Sequence, residues 1–173
     1  MKIIEMNHKC EQENTVRREW YKYGVYEHRM IFDNKNVYSR SFIVLKNRYG
    51  IIVHFTSFHN YVDAYEKGVC VPLTSDAKSK MYYICKMLNY ILIDHYETFS
   101  VGHIFNVTKE MLNMFFQGYA FEKRGDDNYK SIQSVNNCIS VVSNFFRKLC
   151  RKYGGYMKIS CDDLYEENMV FTK

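Results

Sequence analysis

KSIQSVNNCISVVSNFFRKLCRKY, residues 130–153, is the stretch from which the rest of the chain is best read. Val135, Ile139, Val142, Phe146, Leu149 and Tyr153 recur at spacings of three and four, which stacks them on one face of an α-helix. One long amphipathic helix is expected here. Ser131 offers a hydroxyl to the free amides of the first turn and is the expected N-cap. Gly154-Gly155 is expected to end the helix, because glycine accepts the left-handed conformation that closes a last turn. Arg147, Lys148, Arg151 and Lys152 crowd the C-terminal turns, where they complement the negative end of the helix dipole or meet a partner's phosphates.

Upstream of this helix the chain reads as helical from residue 74. Thr74, Ser75 and Asp76 are candidate caps for a helix running to about His95, with Met81, Ile84, Cys85, Leu88, Ile91 and Leu92 as its apolar stripe. Lys78, Lys80 and Lys86 lie off that stripe. Thr108 caps a shorter helix with Glu110 in its first turn, where the dipole favours an acid, and with Leu112, Phe115, Phe116 and Tyr119 facing inward. Residues 161–167 suggest a helical turn or a fourth, short helix.

The first part of the chain changes period. Residues 20–32, 37–45 and 51–58 are rich in aromatic and β-branched residues, and the turn clusters at 33–36 and 47–50 separate them. Three consecutive strands with short turns make an antiparallel meander. Residues 1–18 read as a loosely attached lead, 61–67 as a short helix stopped by Gly68, and Pro72 as a boundary. The expected fold class is α+β: an N-terminal three-stranded antiparallel β-meander, then a bundle of three long helices and one short helix. The expected regions are 1–71 and 72–173.

A chain of 173 residues with 47% hydrophobic and 17% aromatic residues can bury a sizeable core, which argues against disorder. The net charge of +5 is too mild to indicate nucleic acid by itself. The six cysteines lie far apart without CxxC or Cys-plus-His ligand spacing, so most are expected to fill the core as reduced thiols. Residues 1–13 are polar and charged and do not read as a signal peptide. No apolar run approaches the roughly 20 residues that span a bilayer. The expected location is cytoplasmic, with no membrane partner.

The charge excess lies mostly in residues 1–71, where Lys22, Arg29, Lys35, Arg40, Lys46 and Arg48 interleave with aromatics. A sheet can enter a DNA groove as a ribbon. An ordinary solvated face on a sheet packed against helices accounts for the same residues.

The order AKSKMYYICKMLNYIL (77–92), VTKEML (107–112) and KSIQSVNNCISVVSNFF (130–146) resembles the core-binding, SAM-like N-terminal domain of tyrosine recombinases, the phage-integrase family. The resemblance covers roughly residues 75–153 and rests on caps and apolar positions. The strand-rich lead is similar in order to the three-stranded arm-type domains of some integrases. The resemblance implies a DNA-binding fragment that clamps duplex DNA for integration or recombination by a longer protein. It also implies a separate catalytic domain as the other half of the clamp, and other recombinase protomers on the same DNA. Catalysis in that family needs a tyrosine nucleophile with arginines and a histidine, partly in an HxxR motif, and no HxxR occurs in this chain. The chain is therefore expected not to be an enzyme by itself.

The same resemblance makes Lys78, Lys80 and Lys86 candidate phosphate ligands, with Lys130, Ser131, Gln133, Ser134 and Asn137 at the start of the long helix. Amides and hydroxyls at a helix start suit phosphate oxygens. Arg147, Lys148, Arg151 and Lys152 form a second candidate cluster. A solvated charge is the ordinary role of each alone.

Other chemistries have less behind them. His54 and His59 make a poor metal pair, and the carboxylates at 162–163 and 166–167 read as a solvated acidic turn. No Walker loop, GxGxxG or GxSxG is present, and no cofactor or metal is expected. A helical protein-interaction module, or a non-catalytic DNA-binding regulator of a mobile element, remains the alternative.

Overall fold

A computed structural model describes residues 18–32, 36–62, 75–123, 125 and 127–165. The expected lead over 1–17, residues 33–35 of the first turn, the helical stretch 63–67, Gly68, Pro72, the cap at Thr74 and the acids Glu166 and Glu167 lie outside the described residues.

The strand-rich region forms a three-stranded antiparallel sheet in the order β1-β2-β3. Its strands are β1 (Tyr21–Phe32), β2 (Asn36–Asn47) and β3 (Ile52–Phe55). Val25 opposes Ile43 and turns toward the helices; Tyr26 opposes Phe42 and turns away. The side chain of Asn47 builds the turn between β2 and β3, accepting from the amides of Tyr49 and Ile51 at 3.0 Å each. Gly50 closes that turn at φ +78°, a conformation that costs glycine little. The third strand is shorter than the apolar run 51–58. Thr56 leaves the ladder, with its amide and hydroxyl both donating to the Ile43 carbonyl, and Phe58–Tyr61 winds into a 3-10 turn.

The helices are α1 (Ser75–Leu88), α2 (Tyr96–Phe99), α3 (Lys109–Phe121) and α4 (Ile132–Tyr153). Thr108 and Ser131 are N-caps as their sequence positions suggest: each hydroxyl accepts from the amide three residues on. The expected apolar stripes of α1, α3 and α4 are buried in one cluster, which also takes in Ile43, Phe58, Tyr61 and Val62 from the sheet and its following turn.

Three local expectations change. Gly154 takes a right-handed conformation (φ −50°, ψ −37°) and the chain runs on into a 3-10 turn, so no left-handed glycine ends α4. Residues 161–165 are not helical: the Asp163 amide donates to the Ser160 carbonyl and the Asp162 amide to the Ser160 hydroxyl, a turn that competes with helix. The short helix among the described residues is α2 instead. Third, α1 does not run on to His95 as regular α-helix. It widens into a π-helical turn over Asn89–Asp94, with the His95 amide reaching back to the Tyr90 carbonyl.

That widened turn joins the two layers. Asn89, 7% exposed, uses its carboxamide as a substitute strand: its Oδ1 accepts from the Tyr23 amide at 2.7 Å and its Nδ2 donates to the Tyr23 carbonyl at 2.9 Å. The open edge of β1 is thereby satisfied at its point of contact with the helices.

Candidate nucleic-acid interface

The site is best built from α4. Its buried face is apolar, and its 22 residues include no aspartate or glutamate. Gln133, Asn137, Ser140, Asn144, Arg147 and Arg151 lie within about 40° of one line along the helix, at roughly 100° per residue. Gln133, Asn137, Ser140 and Arg151 are exposed, and Asn144 and Arg147 half-buried. The stripe is about 27 Å long at about 1.5 Å per residue. Amide, hydroxyl and guanidinium donors run its whole length. Gln133 donates to the Asn137 side chain at 2.9 Å and Arg147 to the Asn144 side chain at 3.0 Å, which holds both pairs in place.

The basic end of the stripe is Arg147 with Arg151, flanked by Lys148 and Lys152. Arg151 and Lys152 are exposed, whereas the ammonium of Lys148 is turned out of solvent. The Lys152 ammonium lies 5.8 Å from the centre of the Tyr61 ring and 5.3 Å from that of Tyr153. The Tyr61 hydroxyl donates to that of Tyr153 at 3.3 Å. The Tyr61 bond, then the nearby ammonium, holds the Tyr153 phenol below its ordinary value.

The remaining candidates gather elsewhere. Lys78 is ion-paired with Glu27 of β1, and Lys86 and Lys130 share Glu122 just beyond α3. Burial pushes the Glu122 carboxyl up, but the hydrogen bonds from Lys130 and Lys86 outweigh it and leave the group below its ordinary value. Lys130 also sits 4.0 Å over the Tyr119 ring, whose phenol burial pushes up to about 12. Ser131 is committed to its cap, and the Ser134 hydroxyl lies 3.2 Å from the Tyr119 hydroxyl. Lys78 and Lys86, with Ser79, Tyr82, Tyr83 and Tyr119, line an open groove of about 380 Å³ between α1 and α3. Lys80 is half-buried.

The sequence candidates thus meet different surroundings. Gln133, Asn137, Arg147 and Arg151 share the stripe along α4, whereas Lys78 is paired with Glu27 and Lys86 and Lys130 with Glu122. Ser140 and Asn144 belong to the stripe and were missed, although the helical spacing from Gln133 reaches both. Glu27 and Glu122 left no sequence signal as partners, because those pairings are made by the tertiary fold.

On the outer face of the sheet, Tyr26, Phe42 and Phe55 pack edge to face, and Arg40 lies 5.4 Å from the Phe42 ring centre. Arg48 covers Trp20 at 4.5 Å, and Arg29 lies 3.7 Å from Glu27. His59 is buried against Phe42, and burial, then the charge of Arg40, lowers its imidazole to about 4. Among the described residues no three His, Cys, Asp or Glu side chains are grouped to hold a metal ion. No helix among them is long and apolar enough to cross a membrane. Comparison with protein-family models, curated proteins and solved structures returned no match to the chain.

Proposed function

We propose that the chain binds the backbone of duplex DNA along the outward face of α4, in the manner of a tyrosine-recombinase core-binding domain. The observation that carries this reading is the acid-free stripe from Gln133 to Arg151. Phosphate contacts need donors and cations without a competing carboxylate, and a run of about 27 Å follows most of one duplex turn of about 34 Å. Such contacts fix position and carry little base information. The reading places the protein in the cytoplasm and assigns the chain no cleavage step of its own.

The test is fluorescence anisotropy with a labelled duplex across a salt series. Arg147, Arg151 and Lys152 lead us to expect about two to three phosphate neutralisations, and so a slope of log affinity against log salt of about −2 to −3. Absence of binding at low salt overturns the reading.

A second reading rests on the groove between α1 and α3. Its floor of Tyr83 and Tyr119 and its exposed rim at Tyr82 suit a protein segment better than a duplex. Protein capture through Tyr82, with no DNA binding, would favour that interaction module.

A further inference from the structure

The outer face of the sheet, away from the helices, is not the polar surface that an antiparallel sheet ordinarily turns to water. Alternation along β1 and β2 puts Lys22, Gly24, Tyr26 and His28 there, opposite Lys46, Val44, Phe42 and Arg40. Phe55 of β3, opposite Val44, completes the centre: it meets Tyr26 at 5.9 Å and Phe42 at 5.8 Å, edge to face, and is still 54% exposed. Val44 turns away from the main core and is nevertheless fully buried, so the rings around it form a packed plate. Cations surround that plate. Arg40 lies against Phe42, Lys22 is exposed, and Lys46 crosses the bare backbone of Gly24, its ammonium 3.7 Å from where a β-carbon would stand. Among the residues of the three strands Glu27 is the one acid, and it sits on the opposite face in an ion pair with Lys78.

We propose that this face binds single-stranded nucleic acid, with unpaired bases stacked on Tyr26, Phe42 and Phe55 and phosphates against Lys22, Arg40 and Lys46. The chemistry of the face selects that partner. Aromatic rings offer any base a stacking surface, and cations at the rim offer its phosphates the opposite charge, with no carboxylate between them. A duplex keeps the faces of its bases stacked inside, so it could use the rim but not the rings. From Lys22 to His28 the face runs about 20 Å at about 3.3 Å per residue, which suits a short site of about four nucleotides. The surface lies on the sheet and not on α4, so it does not rest on the duplex reading.

The test is fluorescence anisotropy of the whole chain with labelled dodecamers of thymidylate, of uridylate, and of an abasic strand of the same charge. A base-bearing strand is expected to bind about tenfold or more tightly than the abasic one, because stacking is what the abasic strand lacks. Binding of either base-bearing strand in this way supports the proposal, and the tighter of the two identifies DNA or RNA as the source. This comparison uses the unaltered chain and so holds whatever a variant does to folding. Phe55→Ala is expected to weaken binding about tenfold through loss of one ring, and Phe55→Trp to retain it. Lys22→Gln should make the salt slope less steep by about 0.7, the value for one phosphate of a single strand. Arg151→Gln, on α4, should leave single-strand binding unchanged. Equal binding of the abasic strand, full binding by Phe55→Ala, single-strand binding that depends on Arg151 instead, or no binding of either base-bearing strand overturns the proposal.

Discussion

Arg151 and Lys130 carry the same charge and are both candidates from sequence, yet their surroundings set them different tasks. Lys130 is paired with Glu122 and lies over Tyr119, while Arg151 is exposed on the stripe. On the DNA-binding reading, Arg151→Gln should weaken duplex binding and make the salt slope less steep by about 1. Lys130→Gln should leave that slope unchanged. Anisotropy of the two variants side by side decides the matter, and equal effects would assign phosphate binding to Lys130 as well. His59 makes a separate prediction. Its imidazole is lowered from 6.5 to about 4 in the folded chain, so between those values the unfolded chain binds the proton and the native chain does not. Stability from this group is present above pH 6.5 and is lost as pH falls toward 4, a change on the order of 2 kcal/mol. His103, lowered by burial, adds in the same direction. Urea melts at pH 7 and pH 4.5 measure the loss, and His59→Gln should reduce it.

Among the elements, those that depend on near neighbours were legible before the fold was known. Ser131 and Thr108 bond to amides three residues away, and the stripes of α1, α3 and α4 repeat at helical spacing, so local reading finds them. Ser131→Ala is expected to cost about 1 kcal/mol, read from chemical denaturation, because one amide of the first turn loses its partner. What long-range contact decides was not legible. Asn89 lies inside an unbroken helical pattern, but its carboxamide meets a strand 66 residues away, and the helix widens around it. Gly154 could have closed α4 in the left-handed region; the right-handed turn into Gly154–Tyr156 instead leads the chain toward Ile159, which is buried. Asn89→Leu keeps much of the volume and leaves the Tyr23 amide and carbonyl unpaired. The expected loss is about 2–6 kcal/mol at about 1–3 kcal/mol for each of the two orphaned groups, more than the roughly 1 kcal/mol of the Ser131 cap. A loss no larger than that of Ser131→Ala would show that water takes over the strand edge.

At the scale of the whole molecule, the sequence suggested a strand-rich region and a helical region, and the contacts between them allow a direct test of their independence. Phe58, beyond β3, packs edge to face with Tyr23 of β1 at 6.1 Å and with Phe145 of α4 at 6.0 Å. Ile43 of β2 is fully buried in the same cluster as the inward residues of α1 and α4. Apolar area shared in this way cannot be exposed on one side without exposing it on the other, so sheet and helices should unfold together. Thermal melts followed by far-ultraviolet circular dichroism, which reports the helices, and by tryptophan fluorescence from Trp20, beside β1, are expected to coincide. Phe58→Ala, which removes the shared ring, should cost about 3–5 kcal/mol and lower both melts by the same amount. If the Trp20 signal melts first while the helical signal holds, the sheet is a separate unit docked on the bundle. The Phe58 variant would then shift only the earlier transition.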